Sequence, residues 1–584
     1  MKNNFITYLN TMNNANSSNE NAIAESQITN PYYESIRVER KIGQFLIECM
    51  KEKPVTILLT GHAGDGKTSL IYQILRDLNL IQVNEQLKIS DKMYSEKLES
   101  SFYYVKDMSE LNKEEQVNFL KKGLDIKKEK GSAIIISNTG PLIDAFKGLE
   151  DKEKSVELDS VIEMDLLELM DSNEGKMGKV GNHEVLVINM ARIDNTILVP
   201  QLLNRILKEE LWEPCSVCDH KLNCSIYNNY QTLKENTNNV NTFITSFYRW
   251  LYETDKRLTV RQILAHLTYS ITGNLNCDTT LIDNKGANLF KYHFSNLFFG
   301  YQGTEENSEA LQIRAIKEIK NLMLDSKELT FDYEIFVKND FSFLTPLAQN
   351  VISPYWKKKM HKYTSLSMDL LKREEPYKLR KAVRRMEMLF GKHTEDTMNL
   401  MLGNIYTNIY PTYLEMRKKS LSVKNTRDLK NKIIQALYFM FIGVAKKDEK
   451  SIYLPLSRTG NGTQNVQVLL GKIDLDEITI LQKFKESKFD VGENHYELVI
   501  TFRAIDEEFP ISLMLLDYFD KVSNGAVSTK LNPALSHGVG RMKSKIYKKY
   551  RYRSSDKSIK LLVHTVKGTR YHNLEIEQQE LFVD

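Results

Sequence analysis

Residues 55 to 69 read VTILLTGHAGDGKTS. A short apolar run, Val55 to Leu59, ends in the pattern Gly61-x-x-x-x-Gly66-Lys67-Thr68, and an amphipathic segment begins at Ser69. Strand, glycine-rich loop and helix in that order are the context in which such a string binds phosphate. Glycines let successive backbone N–H groups turn inward around phosphate oxygens, and the helix N-terminus adds partial positive charge. The residues expected to hold a nucleotide are Gly61, Gly64, Asp65, Gly66, Lys67, Thr68 and Ser69. Lys67 is expected on the β- and γ-phosphates and the Thr68 hydroxyl on Mg²⁺, so the expected cofactors are ATP and Mg²⁺.

The chain has 584 residues, too many for one hydrophobic core, and length alone suggests about three or four domains. Apolar content of 41% and charged content of 27% are ordinary for a soluble protein. A net charge of +4 does not mark a nucleic-acid binder by itself. The opening MKNNFITYLNTMNNANSSNENA lacks the apolar core of a secretory signal. The longest apolar run, near Ile433 to Ala445, is too short to span a bilayer. Five cysteines in this length do not make a disulfide framework. A cytoplasmic protein with no membrane span is expected.

Residues 1–30 read as a flexible, Asn-rich arm. From Pro31 the stretch YYESIRVERKIGQFLIECMKEK has helical spacing, with Ile36, Ile42, Phe45, Leu46 and Cys49 roughly on one face. Continuous apolar runs follow at Phe102 to Val105, Ala133 to Ile136 and in EVLVINM (184–190), with a helix from Lys113 to about Leu124 between the first two. Such runs, separated by helices, predict a parallel sheet covered on both faces. The ATPase core is placed at 31–205, a helical lid with a Cys-rich insertion at 206–345, and a helical domain at 346–445. From 446 to 584 the β-type runs SIYLPLS, NVQVLLGKI, HYELVITFRAI and KSIKLLVHTV alternate with the helical patterns ISLMLLDYFDKVSNG and ALSHGVGRMKSKIYKKY, predicting an α+β C-terminal domain. No repeat of fixed period is present.

Outside the loop, each candidate has an ordinary alternative. Asp107, just past a strand, fits the carboxylate that anchors the Mg²⁺ water shell, or is a strand-end Asp. The residue after it is Met108 instead of an acid, leaving Glu110 as the nearest candidate to orient the attacking water. Asn138 ends the next strand, as a polar sensor of the γ-phosphate or as a turn residue. Arg257 and Arg261 lie at a helix start in DKRLTVRQILAHLTYSITG; Arg261 is the choice for a lid arginine reaching back to the phosphate. Arg192 and Arg205 are weaker candidates for sensing ATP across a subunit interface.

Cys215-x-x-Cys218-x₅-Cys224 gathers three cysteines, which in a reducing compartment point to structural Zn²⁺. His220 is close in sequence, and Cys277 or another residue is an alternative fourth ligand; three cysteines packing a loop is the plainer reading. RMKSKIYKKYRYR (541–553) interleaves seven cations with tyrosines, so Lys545, Lys548, Lys549 and Arg551 are candidate phosphate contacts with stacking rings beside them. KLRKAVRR (378–385) and WKKKMHK (356–362) are further basic runs, and a solvated face is the default for all three.

The entry into the loop by helix and strand is similar to that of AAA+ ATPases. The whole fold class expected is an α/β P-loop NTPase (AAA+-like) core with a helical lid and insertion region and an α+β C-terminal module. The set GHAGDGKTS, VKDMSEL, IISNTGPLIDAF, the cysteine knuckle and RLTVRQILAHLTYSITG, in this order over about 35–275, resembles bacterial anti-phage defence ATPases, namely the DptF family of DNA phosphorothioation-dependent restriction proteins or a sister family. The resemblance implies an ATPase subunit of a restriction-type defence complex. Its partners would be DNA, other subunits such as a nuclease or helicase, and further copies of itself. No nuclease motif is visible in this chain. The leading reading is an ATP-hydrolysing motor or switch. A non-hydrolysing nucleotide-gated scaffold and a STAND-type signalling ATPase that oligomerises on sensing phage are the alternatives.

Overall fold

The computed structural model describes residues 2–13, 27–149, 156–172, 175, 177–282, 287–327, 332–336, 338, 340–360, 374–443, 450–456, 466–486, 489, 494–526, 533–552, 558–565, 568–577 and 580–583. The chain forms two compact units. The first comprises Met1–Tyr252, Arg257–Met398 and Lys488–Gly492, the second Glu253–Lys256, Asn399–Ser487 and Glu493–Asp584. Among the described residues no helix is long and apolar enough to cross a membrane.

The first unit is built on a six-stranded sheet of β1 (Thr56–Thr60), β2 (Ser90–Ser95), β3 (Ser100–Val105), β4 (Ser132–Ile136), β5 (Met177–Val180) and β6 (His183–Asn189), in the spatial order β2-β3-β4-β1-β6-β5. β3, β4, β1 and β6 run parallel, and the two edges are antiparallel. Every residue of β1 and β4 is buried, because helices cover both faces of a central parallel strand. Side chains alternate between the two layers. Ile57 and Leu59 pack with Leu70, Ile71 and Ile74 of the helix Lys67–Asp77 and with Ile42 and Leu46 of the helix Lys41–Glu52. Leu58 packs on the other side with Leu120, Leu142, Phe146 and Leu166.

Two expectations about the N-terminal part do not hold. The stretch from Tyr32 to Lys53 is two helices, Tyr33–Ile36 and Lys41–Glu52, separated by an extended Arg40 (φ −104°, ψ 131°). Gln73 holds the break open: its Oε1 accepts the Arg40 N–H at 2.9 Å and its Nε2 donates to the Arg40 carbonyl at 3.0 Å. That side chain supplies the partners that the helical ladder would have given. Residues 1–30, expected as a flexible arm, include a helix at Asn4–Met12 with Phe5, Ile6, Tyr8, Leu9 and Met12 buried. Phe5 meets Trp212 edge to face at 5.8 Å. Asn13 donates to the Thr272 hydroxyl at 3.0 Å and Asn10 to the Leu275 carbonyl at 2.7 Å, fixing this helix to the end of the helix Val260–Thr272. An apolar face hidden in an Asn-rich composition explains the difference. Residues 14–26 lie outside the described residues.

The rest of the first unit is largely helical, with the short hairpin β7 (Tyr301–Gln302) and β8 (Glu305–Glu306). Here the basic run 378–385 is partly core: Leu379, Ala382, Val383, Arg384 and Arg385 are buried. It lies in the helix Glu374–Phe390. Arg385 is fully buried and donates to Asp325 (2.7 Å), Asn296 (2.8 Å) and the Gly303 carbonyl (3.0 Å), with its guanidinium 3.9 Å from the Tyr301 ring centroid. Arg384 forks onto Asp332. Neither arginine is open to phosphate. In the run 356–362, Trp356 is buried and Lys357 exposed, and residues from 361 lie outside the described ones.

The second unit carries two antiparallel sheets. One has the order β16-β15-β14-β10-β9, formed by β9 (Ser451–Pro455), β10 (Val466–Asp474), β14 (Ser558–Thr565), β15 (Gly568–Glu577) and β16 (Glu580–Val583). The other is β11 (Ile478–Lys485), β12 (His495–Phe502) and β13 (Ile505–Pro510). The helices Val423–Ile442 and Leu513–Ser523 bury Ile433, Leu437 and Phe441 from one and Leu513, Leu516 and Phe519 from the other.

Arg385→Ala leaves the buried Asp325 carboxylate without its main partner, so chemical denaturation should show a loss of about 3–5 kcal/mol. Affinity for DNA, measured on the fraction that stays folded, should not change.

Candidate functional site

The loop between β1 and the helix Lys67–Asp77 has the torsions its glycines were expected to permit. Gly66 is in the left-handed region (φ +82°) and caps the helix. Gly64 (φ +88°) is required twice over, because a Cβ there would stand 2.9 Å from Arg261 Cβ and 3.1 Å from Thr259 Oγ1. The start of the helix Val260–Thr272 is therefore seated directly on the loop, and the Arg261 N–H donates to the Gly64 carbonyl at 3.2 Å. Thr259 and Gln262 close a reciprocal cap that fixes this helix start.

Lys67 is buried, with Nζ donating to the carbonyls of Gly61 (2.8 Å) and His62 (3.0 Å). Burial pulls its ammonium below the ordinary lysine range; the nearby Asp107 and Asp65 carboxylates oppose this, and the Arg261 guanidinium adds to it. Burial likewise lowers Arg261. Asp107 and Arg261, expected as metal and lid residues, thus both lie within electrostatic reach of Lys67, expected on the phosphates. Thr68 and Ser69 are half-buried in the first turn of the loop helix.

Asp107 follows β3 and accepts the Ser109 N–H at 2.9 Å, capping a short 3₁₀ turn, Met108–Glu110. Ser109 Oγ in turn accepts the Asn138 N–H at 2.7 Å, which ties the end of β4 to the end of β3. Asn138 is exposed at that edge, and Glu110 is exposed at the close of the turn. Met108, in the place where an acid would follow Asp107, is fully buried. Arg192 is exposed and Arg205 half-buried.

Asp65, expected among the residues that hold a nucleotide, has its side chain in internal contacts. Its carboxylate is completely buried; Oδ2 accepts the His62 N–H at 2.9 Å and Oδ1 accepts Arg257 Nη1 at 2.8 Å. Arg257 also donates to the carbonyls of Met190 (2.7 Å) and Ile193 (2.9 Å) beyond β6. A carboxylate facing a phosphate would repel it; this one faces Arg257, in the segment that leads into the helix Val260–Thr272. The Asp65 carbonyl accepts Arg40 Nη1 at 3.0 Å. The extended break at Arg40 thus serves the loop, a link with no direct signal in the sequence.

Beside Gly66 and Ser69 lies a mainly apolar pocket lined by Tyr33, Ile36, Val38, Leu198, Leu202 and Leu264, with Arg37 and Gln73 at its wall. Of these only Ile36 was singled out in the sequence, and as part of a helix face. The clue was the segment Tyr33 to Arg40, whose Val38 falls in the break between two helices.

The other expected sites are scattered. Cys215 is buried, Cys218 and Cys224 are half-buried, and His220 is exposed. The run 541–553 begins in the helix Pro533–Tyr550 of the second unit. Arg541 and Lys545 both pair with Glu507, and Lys543 donates to the Met440 carbonyl at 3.0 Å. Tyr547 donates to the Pro455 carbonyl at 2.7 Å and the Tyr550 hydroxyl accepts the Ala504 N–H at 3.2 Å, so these rings are not free platforms for bases. Lys548, Lys549 and Arg551 are exposed, and Arg553 lies outside the described residues.

Compared with protein-family models, with curated proteins and with solved structures, the chain finds no match in any of the three.

Arg257→Ala strands the buried Asp65 carboxylate. Thermal and urea unfolding should show a loss of about 3–5 kcal/mol, and Asp65→Asn in that background should recover part of it. Replacing Lys548, Lys549 and Arg551 by Ala should lower the log–log salt slope of any DNA binding by about 2–3; an unchanged slope removes this helix from the list of DNA contacts.

Proposed function

We propose that this chain binds Mg-ATP at the 61–69 loop and hydrolyses it as a switch, with the helix Val260–Thr272 as the element that responds to the phosphates. The observation that carries this reading is the convergence of Lys67, Asp107 and Arg261 on a left-handed glycine loop at a helix N-terminus. The sheet order supports it. β4 lies between β1 and β3, so Asp107 and Asn138 emerge at the same sheet edge as the loop, as in the AAA+-like core expected.

The residues fit the ligand. The loop N–H groups and Lys67 would hold the phosphates, the Thr68 hydroxyl and Asp107 the Mg²⁺, and the apolar pocket beside Gly66 the base. Mg²⁺ supplies charge neutralisation on the phosphates. To reach a phosphate, Lys67 must leave the Gly61 and His62 carbonyls; its ammonium, already desolvated, gives up little hydration in doing so. Arg261, held by its backbone to Gly64, turns a change at the phosphates into a change at the lid. The resemblance of the motif set adds the setting, a restriction-type anti-phage defence complex acting on DNA.

The buried Met108 favours one other reading, a nucleotide-gated scaffold that binds without turnover. In that case the exposed Glu110 orients no water.

Steady-state ATP hydrolysis with and without DNA distinguishes the two. Lys67→Ala should abolish detectable binding and turnover in a folded protein; normal turnover there sinks the assignment of the loop. Asp107→Ala should reduce Mg²⁺-dependent hydrolysis by about 10²–10³ while sparing Mg²⁺-free nucleotide binding. Glu110→Gln should slow turnover and leave affinity intact. No turnover in the wild type, with tight Mg-ATP binding, selects the scaffold.

A further inference from the structure

The pocket beside Gly66 and Ser69 has a volume of about 100 Å³, room for one planar ring system. Ile36 and Val38 line it on the side of the break at Arg40, and Leu198, Leu202 and Leu264 come from more distant parts of the first unit. Two polar atoms of its wall residues are shut off from solvent and lack a hydrogen-bond partner: the Tyr33 hydroxyl and Arg37 Nη1. Tyr33 is 8% exposed, and burial raises its phenol above the ordinary tyrosine range. Ser69 lies beside that hydroxyl without closing a hydrogen bond on it. The Arg37 side chain is 10% exposed, and its other nitrogens are engaged: Nε faces Glu34 Oε2 at 3.4 Å and Nη2 donates to Glu39 Oε1 at 3.2 Å.

Tyr33 and Arg37 stand one helical turn apart, with the Arg37 N–H donating to the Tyr33 carbonyl at 2.9 Å, so their side chains leave the same face. A buried polar atom left unpaired costs stability, and here two such atoms border one pocket. The rest of the wall limits what they can read. Gln73 is not available, because both ends of its amide hold the Arg40 backbone. Among the described residues no Asp or Glu lines the pocket. The pairing edge of guanine presents N–H donors and calls for such an acceptor. Arg37, with Nη2 held by Glu39, also lacks the free fork that grips guanine N7 and O6. Adenine presents a ring-nitrogen acceptor next to an amino donor. A fixed guanidinium N–H and a hydroxyl oxygen match that pair.

We propose that Arg37 and Tyr33 select adenine as the base of the bound nucleotide. Arg37 Nη1 donates to the ring nitrogen beside the amino group, and the Tyr33 oxygen accepts an amino hydrogen. The inference rests on the reading of the 61–69 loop as a nucleotide site. The apolar side chains cover the faces of the ring, and the two polar atoms fix its orientation. Glu34, which orients Arg37, is itself held by Arg76. The guanidinium is therefore in place before the base arrives, and little ordering is left for binding to supply. Both residues choose the base and take no part in chemistry at the phosphates.

Calorimetric titration of the full-length protein with Mg²⁺ and ATP, GTP, purine riboside triphosphate (which lacks the amino group) or inorganic tripolyphosphate tests this. ATP should bind about 10–100-fold tighter than GTP and about 3–10-fold tighter than the purine riboside analogue. Arg37→Met should weaken ATP by about 10–100-fold and leave tripolyphosphate unchanged. Tyr33→Phe should weaken ATP by about 3–10-fold and bring it level with the purine riboside analogue. Of two deaza analogues of ATP, one lacking N7 and the other N1, one should bind as weakly to the wild type as ATP does to Arg37→Met. Equal affinity for ATP and GTP, a preference for GTP, or full affinity for both deaza analogues overturns the proposal. So does an Arg37→Met protein that loses tripolyphosphate as much as ATP. Failure of the loop reading looks different: Lys67→Ala then binds tripolyphosphate and ATP as the wild type does, or the wild type binds neither. The analogue series uses the wild type, so it decides the matter even if Arg37→Met fails to fold.

Discussion

A buried carboxylate inside the glycine loop after β1 is the constraint on which the first unit turns. Asp65 has no water contact, and moving such a charge out of water costs several kcal/mol before any partner is counted. Arg257 offsets this with a short contact and then spends its remaining donors on two carbonyls beyond β6. One guanidinium therefore joins the glycine loop, the exit of β6 and the segment leading to the helix Val260–Thr272. Arg261 adds a backbone bond to Gly64 four residues further on. Loop shape and the position of the helix Val260–Thr272 are thus parts of one cooperative arrangement, in which neither charge of the pair can move alone without leaving the other exposed to the cost of burial.

The same economy governs the basic stretches. Runs of lysine and arginine in this sequence look like surfaces for an acidic partner, yet several of these cations are absorbed internally. Arg384 and Arg385 close an ion-pair network with Asp325 and Asp332, and Arg541 and Lys545 share Glu507. Among the described residues, what remains open on the helix Pro533–Tyr550 and just beyond it is Lys548, Lys549 and Arg551.

Elements whose two faces are both buried were readable, because burial on both sides writes an unbroken apolar run: β1, β3, β4 and β6 all announce themselves this way. The edges β2 and β5, with polar stretches such as SDKMYS, carry no such mark. In the second unit β9, β10, β12 and β14 were legible, whereas β11, β13, β15 and β16 were not. β11 and β13 carry charged residues on their open sides, and hairpin pairing defines them better than hydrophobicity does. At the site, the loop and the two carboxylate and arginine positions near Lys67 followed from motif spacing. The Asp65–Arg257 pair, the Gln73 clamp on Arg40 and the apolar pocket did not, since each joins residues distant in sequence through side-chain bonds that no local pattern encodes.

The short helix Asn4–Met12 has a consequence for how the protein is made. Its docking partner, the helix Val260–Thr272, is synthesised about 250 residues later. At about 5–20 residues per second, Phe5, Ile6, Tyr8, Leu9 and Met12 wait on the order of 10–50 s for that helix, with earlier-made partners such as Tyr32, whose ring stands 5.4 Å from that of Phe5, covering only part of their face. Through that interval the nascent chain displays a part-covered amphipathic segment, open to holdases or to neighbouring nascent chains on the same message. The yield of folded protein then depends on elongation speed as well as on equilibrium stability.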